Sequence, residues 1–306
     1  MNLIQFMGAL EVGFLYGLVA IGVLLSFRIL DFPDLTVDGS LPLGAAVCAI
    51  LIVSGVNPWL ATFCSILAGM AAGFTTAWIS VRWNILHLLA SILTMTALYS
   101  INLRIMGRPN IALLGEQTIF TPLENFTSLE SFSYLRHYTI PAAMCIIATV
   151  VLIVVYRFLS SEKGLAMRAT GANPRMAKAQ GIAVNRQVLL GIAISNGLVA
   201  LAGALWAQSQ GFADVTMGVG TIVVGLAAVI VGEAFFNPKV ILSALVACIL
   251  GSIFYRLAIA FALNASFLGL QAQDLQLVTA IIVGLAMITP KLRSKILDFK
   301  ASRSQA

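Results

Sequence analysis

The chain has 306 residues, of which 60% are hydrophobic and 10% charged, with a net charge of +6 and a mean hydropathy of +0.98. No soluble domain could hide that much apolar surface, so soluble enzymes are excluded, and without a basic face interleaved with aromatics so is nucleic-acid binding. What remains is an all-α class, a polytopic transmembrane helix bundle.

Nine apolar runs are predicted to span, at residues 3–27, 40–54, 58–81, 85–105, 138–158, 188–207, 218–234, 240–263 and 275–288. Most are long enough to cross about 30 Å of hydrocarbon as a helix. The first lacks a basic flank and a small-residue cleavage site, and reads as a retained span rather than a signal peptide. Its Gly13-xxx-Gly17 spacing, like Gly69-xxx-Gly73 in the third, permits close helix approach.

Between the first two runs lies "ILDFPDLTVDGSLPLG", residues 29–44, with three carboxylates and two prolines. Pro33 is expected to stop the first helix, Gly39 to take an unusual dihedral, and Asp38 or Ser40 to cap the next helix. The run 40–54 covers only about 22 Å, so a broken or re-entrant element near 31–54 is predicted, with irregular backbone at membrane depth. Asp34 and Asp38 either cap helices at the boundary or face a permeation path.

In the fourth run, Ser91, Thr94, Met95 and Thr96 either pack within the bundle or line a path, and His87 reads as interfacial. Arg104 and Arg256 read as snorkelling or paired. The external loop 107–137 holds Arg108 and Arg136 against Glu116, Glu124 and Glu130. Positive charge concentrates in the connection 159–187 and in the tail 291–306, which places both on the cytoplasmic side and, by parity, the N-terminus outside. Cys48, Cys64, Cys145 and Cys248 all fall in apolar runs and read as packing, not as a disulfide framework. No metal-ligand spacing, nucleophilic triad or P-loop is present, so no cofactor is expected on this chain.

The connection 160–187 is patterned rather than a plain hairpin. Asn173 is a good N-cap, Pro174 suits the first helical position, residues 175–180 favour helix, and Gly181 can end it. Two turns are marginal alone. The helix either lies on lipid phosphates or docks a cytoplasmic motor, and any ATP energy must come from another subunit.

The segment "EKGLAMRATGANPRMAKAQGIAVNRQ", residues 162–187, resembles the coupling segment of ABC-importer permeases of the branched-chain amino-acid and ribose permease family. "RILDFPDLTVDGSLPLGA", "NILHLLASILTMTALYSI" and "GVGTIVVGLAAVIVGE" resemble three further core segments of that family, and the likeness spans roughly 13–290. Ser91 replaces the first Thr of a Thr-x-x-Thr-Met pattern, and Glu233 the second Gly of a Gly-Gly pair. "MGVGTIVVGLAAVIVGE" is similar to the branch linked with aromatic amino-acid (tryptophan/tyrosine) uptake.

The resemblance implies one permease domain over 1–306 in a bacterial inner membrane, importing a small solute, an amino acid before any other, by alternating access. It implies partners: cytoplasmic ABC ATPase subunits carrying ATP and Mg, a second permease, an extracytoplasmic binding protein, and membrane lipid. It implies coupling through Gly164, Arg168, Gly171, Asn173, Pro174, Arg175, Ala177 and Gly181. The implied path residues are Asp34, Thr36, Asp38, Ser40, Ser91, Thr94, Met95 and Glu233. The alternative is an ion-coupled secondary transporter using Asp34, Asp38 or Glu233.

Overall fold

The computed structural model describes residues 3–123, 136–236 and 240–264, with 280, 281 and 284. Its helices are α1 (Leu3–Val23), α2 (Val37–Val53), α3 (Pro58–Trp83), α4 (His87–Met106), α5 (Arg136–Ser160), α6 (Glu162–Ala172), α7 (Pro174–Ala179), α8 (Val184–Gln210), α9 (Thr221–Phe236) and α10 (Ile241–Asn264). Six helical stretches among the described residues are long and apolar enough to cross a membrane: Leu3–Ile29, Pro58–Trp83, His87–Met106, Tyr138–Ser160, Val184–Gln210 and Ile241–Ala262. The runs 40–54 and 218–234 form the shorter apolar helices Val37–Val53 and Thr221–Phe236. The run 275–288 lies outside the described residues save for 280, 281 and 284.

The described part is not wholly α. β1 (Asn110–Ala112) pairs antiparallel with β2 (Phe212–Asp214), Ile111 opposite Ala213, and joins the loop after α4 to the connection after α8. Pro109 supports the ribbon by accepting from the Val215 N–H at 3.0 Å. Burial tends to raise the Asp214 pKa, but hydrogen bonds from Thr216 and Asn110 outweigh it and leave it below the usual carboxylate range.

α1 sits at the centre, with Leu15, Leu18 and Ile21 buried in one core with Met144 of α5, Val199 of α8, Val229 of α9 and Ile249 of α10. α8 packs along α2 and α3. In lipid such contacts are held by close packing and interhelical hydrogen bonds, not by exclusion of water, so small residues decide where helices meet. A Cβ on Gly44 would overlap the carbonyl of Ala200, and one on Gly203 the carbonyl of Leu41. Gly13 and Gly17 allow a similar approach of α1 and α10, where Ser252 Oγ also donates to the Gly13 carbonyl at 2.7 Å.

The first helix does not stop at Pro33. Beyond Val23 it widens into a π-helical turn, Leu24–Ile29, and the chain then turns through Asp31 at φ 53°. α2 starts at Val37, three residues before the expected point, because the Thr36 carbonyl accepts from the N–H groups of Gly39 and Ser40. Gly39 is an ordinary helical residue rather than a special dihedral. Its hydrogen makes room for α4, where a Cβ would lie 2.9 Å from Leu98 Cδ1.

Candidate functional site

The polar groups of the first connection converge inside the bundle. Asp34, Thr36 and Ser40 are fully buried. Asp34 Oδ1 accepts from the Thr36 N–H at 2.9 Å, and Asp34 Oδ2 accepts from Asn196 Nδ2 of α8 at 2.6 Å. Ser40 Oγ donates to Asn196 Oδ1 at 2.6 Å, and Thr36 Oγ1 shares a 2.8 Å hydrogen bond with Thr76 Oγ1 of α3. The first connection, α2 and α8 thus meet on one carboxylate and one amide, and α3 joins them through Thr36. A polar group unpartnered at this depth costs several kcal/mol by general estimates, so the closed network fixes the turn. The side chains of Asp34, Thr36 and Ser40 turn inward to these partners, not toward an open surface.

Asp38 does not cap its own helix. Its Oδ1 accepts from the Ile222 N–H at 2.8 Å and its Oδ2 from the Gly220 N–H at 3.3 Å, so it caps α9 from across the bundle. α2 itself has no side-chain cap. Gly218 makes that approach possible, because a Cβ there would overlap the Asp38 carbonyl. Glu233 lies elsewhere, half-buried at the far part of α9, where Arg28 Nε donates to its Oε1 at 3.0 Å.

Ser91 and Thr94 are buried and bond their own helix, to the carbonyls of Leu88 (2.9 Å) and Ala90 (3.0 Å). Met95 is half-buried, its backbone beside Gly39. Thr94 also borders a groove of about 410 Å³ between α2, α3 and α4, walled by Leu43, Val47, Ala68, Ala72, Thr75, Leu93 and Ile101. Among these walls only Thr75 and Thr94 offer hydroxyls, and no wall residue is charged.

At the other end, the connection holds two helices where the sequence predicts one. α6 begins because the Ser161 side chain accepts from the Gly164 N–H, and Gly164 itself is packed on the carbonyl of Phe158. α7 has the predicted design: Asn173 Oδ1 accepts from the Met176 N–H at 3.0 Å, Pro174 opens the helix, and Gly181 at φ +81° ends it. Ala177 alone in α7 is buried, whereas Arg175, Met176 and Lys178 are exposed, as is Arg168 of α6. A cleft of about 430 Å³ lined by Arg175, Lys178, Ile182, Val184 and Arg186 runs beside α7. Gly171 is pressed on the π-helical turn, where a Cβ would overlap the Ile29 carbonyl.

Two residues of this architecture escape sequence reasoning. Asn196 and Gln208 are amides inside the apolar α8; Gln208 Nε2 donates to Thr62 Oγ1 (2.8 Å) while its Oε1 accepts from the Ile119 N–H (3.0 Å). An amide within some twenty apolar residues is itself a signal, because lipid offers it no partner. His87 stacks on Phe32, with centroids 4.2 Å apart, and shares a 2.6 Å hydrogen bond with Ser80. No group of three His, Cys, Asp or Glu suited to a metal occurs among the described residues.

Residues 6–289 match the family described as branched-chain amino acid transport system / permease component. The chain is 38% identical over 268 residues to a tyrosine transport system permease protein of Clostridioides difficile (strain R20291), covering 87% of this chain and 84% of that one. It is 34% identical over 287 residues to the uncharacterized protein RP368 of Rickettsia prowazekii (strain Madrid E), covering 92% and 96%. The fold is similar to a chain of PsaBC from Streptococcus pneumoniae in complex with Fab, at a TM-score of 0.52 and 14% identity, over 92% of this chain and 89% of that one.

Proposed function

This chain belongs to the permease-component family of branched-chain amino acid transport systems, and from that premise we propose that it forms the membrane path of an ABC importer for an aromatic amino acid. Membership makes it a multi-pass permease for amino acids that works with separate ATPases. The aromatic preference draws support from its likeness to the tyrosine permease. The groove between α2, α3 and α4, apolar with two threonines and no charge, suits a large side chain held weakly. Weak contacts serve an importer whose extracytoplasmic binding protein does the selecting.

Coupling rests on one observation above the rest: α7 is capped, ended and exposed, with a single buried residue. Such a helix is completed by a partner surface. ATPase subunits carrying ATP and Mg press on α6–α7 at Arg168, Arg175 and Lys178, and a second permease completes the path. The unit is one domain of nine spans in the inner membrane, with the N-terminus outside and the basic tail inside. The ion-coupled alternative needs carboxylates open to an ion, whereas Asp34 and Asp38 hold backbone and amide donors of this chain.

The test is uptake of radiolabelled L-tyrosine into proteoliposomes holding the permease with its co-purifying ATPases and binding protein. ATP-dependent uptake, competed by tryptophan and phenylalanine more than by leucine, is expected. Better competition by leucine would return the substrate to the branched-chain class, and uptake driven by an ion gradient without ATP would end the ABC reading. Arg175→Glu should reduce ATPase association while the permease stays inserted; unchanged association would move the docking site away from α7.

A further inference from the structure

Besides packing on α5 and α8, the coupling helices press tightly on the turn that follows α1. Gly171 near the end of α6 lies on the Ile29 carbonyl, and Gly191 of α8 brings Leu30 and Met167 together, where a Cβ would sit 3.0 Å from Met167 Sδ. Both contacts fall on the end of the π-helical turn Leu24–Ile29. There the Leu30 N–H donates to the Leu25 carbonyl, five residues back, at 3.1 Å, and the Phe32 N–H to the Ser26 carbonyl at 2.9 Å. A π turn stores one residue more than an α turn, and moving such a bond by one carbonyl rotates the chain beyond it. Beyond it lie Asp31 at φ 53°, then Asp34 with its bond to Asn196, then α2. Just past the turn, Leu30, Asp31 and Phe32 line a cavity of about 590 Å³ together with His87 and Gly171, among others, which leaves room for displacement of that segment.

We infer that the π-helical turn and the Asp34–Asn196 pair form the joint that carries movement of α6–α7 to α2 and the groove it borders, with Asp34 and Asn196 as positioning residues. The inference rests on α6–α7 being the ATPase-coupling segment and adds the route inward. A push on Gly171 meets a backbone carbonyl rather than a compliant side chain, so it moves the turn. The turn cannot swing freely beyond Asp34, because Asn196 and Thr36 hold both carboxylate oxygens. Displacement therefore passes to α2, which Ser40 ties to the same Asn196.

The experiment measures ATP hydrolysed per L-tyrosine imported in proteoliposomes of the complete transporter. Asn196→Asp sets two carboxylates against each other and should raise that ratio about tenfold, a coupling loss within the range for directly bonded pairs. The exchange Asp34→Asn with Asn196→Asp restores one donor facing one carboxylate and should bring the ratio back to within about threefold of the wild type. A structural role alone predicts uptake and hydrolysis falling together, with an unchanged ratio, and that result would overturn the joint. So would an exchange variant that assembles but stays uncoupled. Should Asn196→Asp fail to assemble, Ser40→Ala, which removes only the donor to Asn196, is read instead; a raised ratio supports the joint and an unchanged one rejects it. Loss of ATPase binding in Arg175→Glu is scored separately, so failure of the docking site and failure of the joint give different results.

Discussion

Asp38 lies in the first turn of one helix and serves the first turn of another, where its charge also meets the positive end of the α9 dipole. Asp38→Ala should cost about 1 kcal/mol, the usual worth of an N-cap, and Asp38→Asn a smaller amount because one acceptor oxygen survives. Thermal unfolding of the purified protein checks both; equal apparent Tm values for Ala and Asn would mean that the cap is not what Asp38 supplies. Glu233 offers the contrast. Its partner Arg28 has a side chain 68% exposed, and pairs of that kind contribute about 0–1 kcal/mol. Glu233→Gln should shift the apparent Tm less than Asp38→Ala does, and a larger shift would give the ion pair a role its exposure does not suggest.

At the scale of helices, contact is set by what a Cβ would meet. Gly44→Ala drives a methyl into the Ala200 backbone at the α2–α8 crossing and should destabilise by about 1–3 kcal/mol or more, because backbone cannot step aside. Gly8→Ala, with open space around it, should leave the apparent Tm within measurement error or raise it slightly through helix propensity. Equal effects at the two positions would mean that α2 and α8 are not in backbone contact. α6 carries little helical signal in its own sequence. "EKGLAMRATGA" carries two glycines, and its amphipathic signal is weak; it is helical because Ser161 caps it and because both glycines are needed against Phe158 and Ile29.

At the scale of the molecule, α8 runs from the α7 end to the β ribbon, 27 residues or about 40 Å, so these two features mark opposite faces of the bundle. The proposed orientation, with the basic connection inside, is checked by single cysteines in a background lacking the four native ones. Leu114→Cys, at an 86% exposed position beside the ribbon, should react with an impermeant thiol reagent in intact cells. Met176→Cys should react only after permeabilisation. The reverse pattern would invert the topology and remove α7 from reach of any cytoplasmic ATPase.

Features that depend on neighbours along the chain can be read from the order of residues alone. Hydrophobic runs follow from length and composition, so most spans were legible, and α7 was legible because its Asn-Pro start and Gly stop are local signals. Contacts between residues far apart in number emerge only when the helices pack. Asp34 lies 162 residues from Asn196 and Asp38 lies 184 from Ile222, and nothing in a linear pattern pairs them. Of the carboxylates that read as either caps or path lining, Asp38 caps a distant helix and Asp34 sits at the centre of a buried network. The physical reason is that a polar group inside a membrane bundle must be satisfied by whichever helix packing brings to it, and packing is a property of the assembled whole.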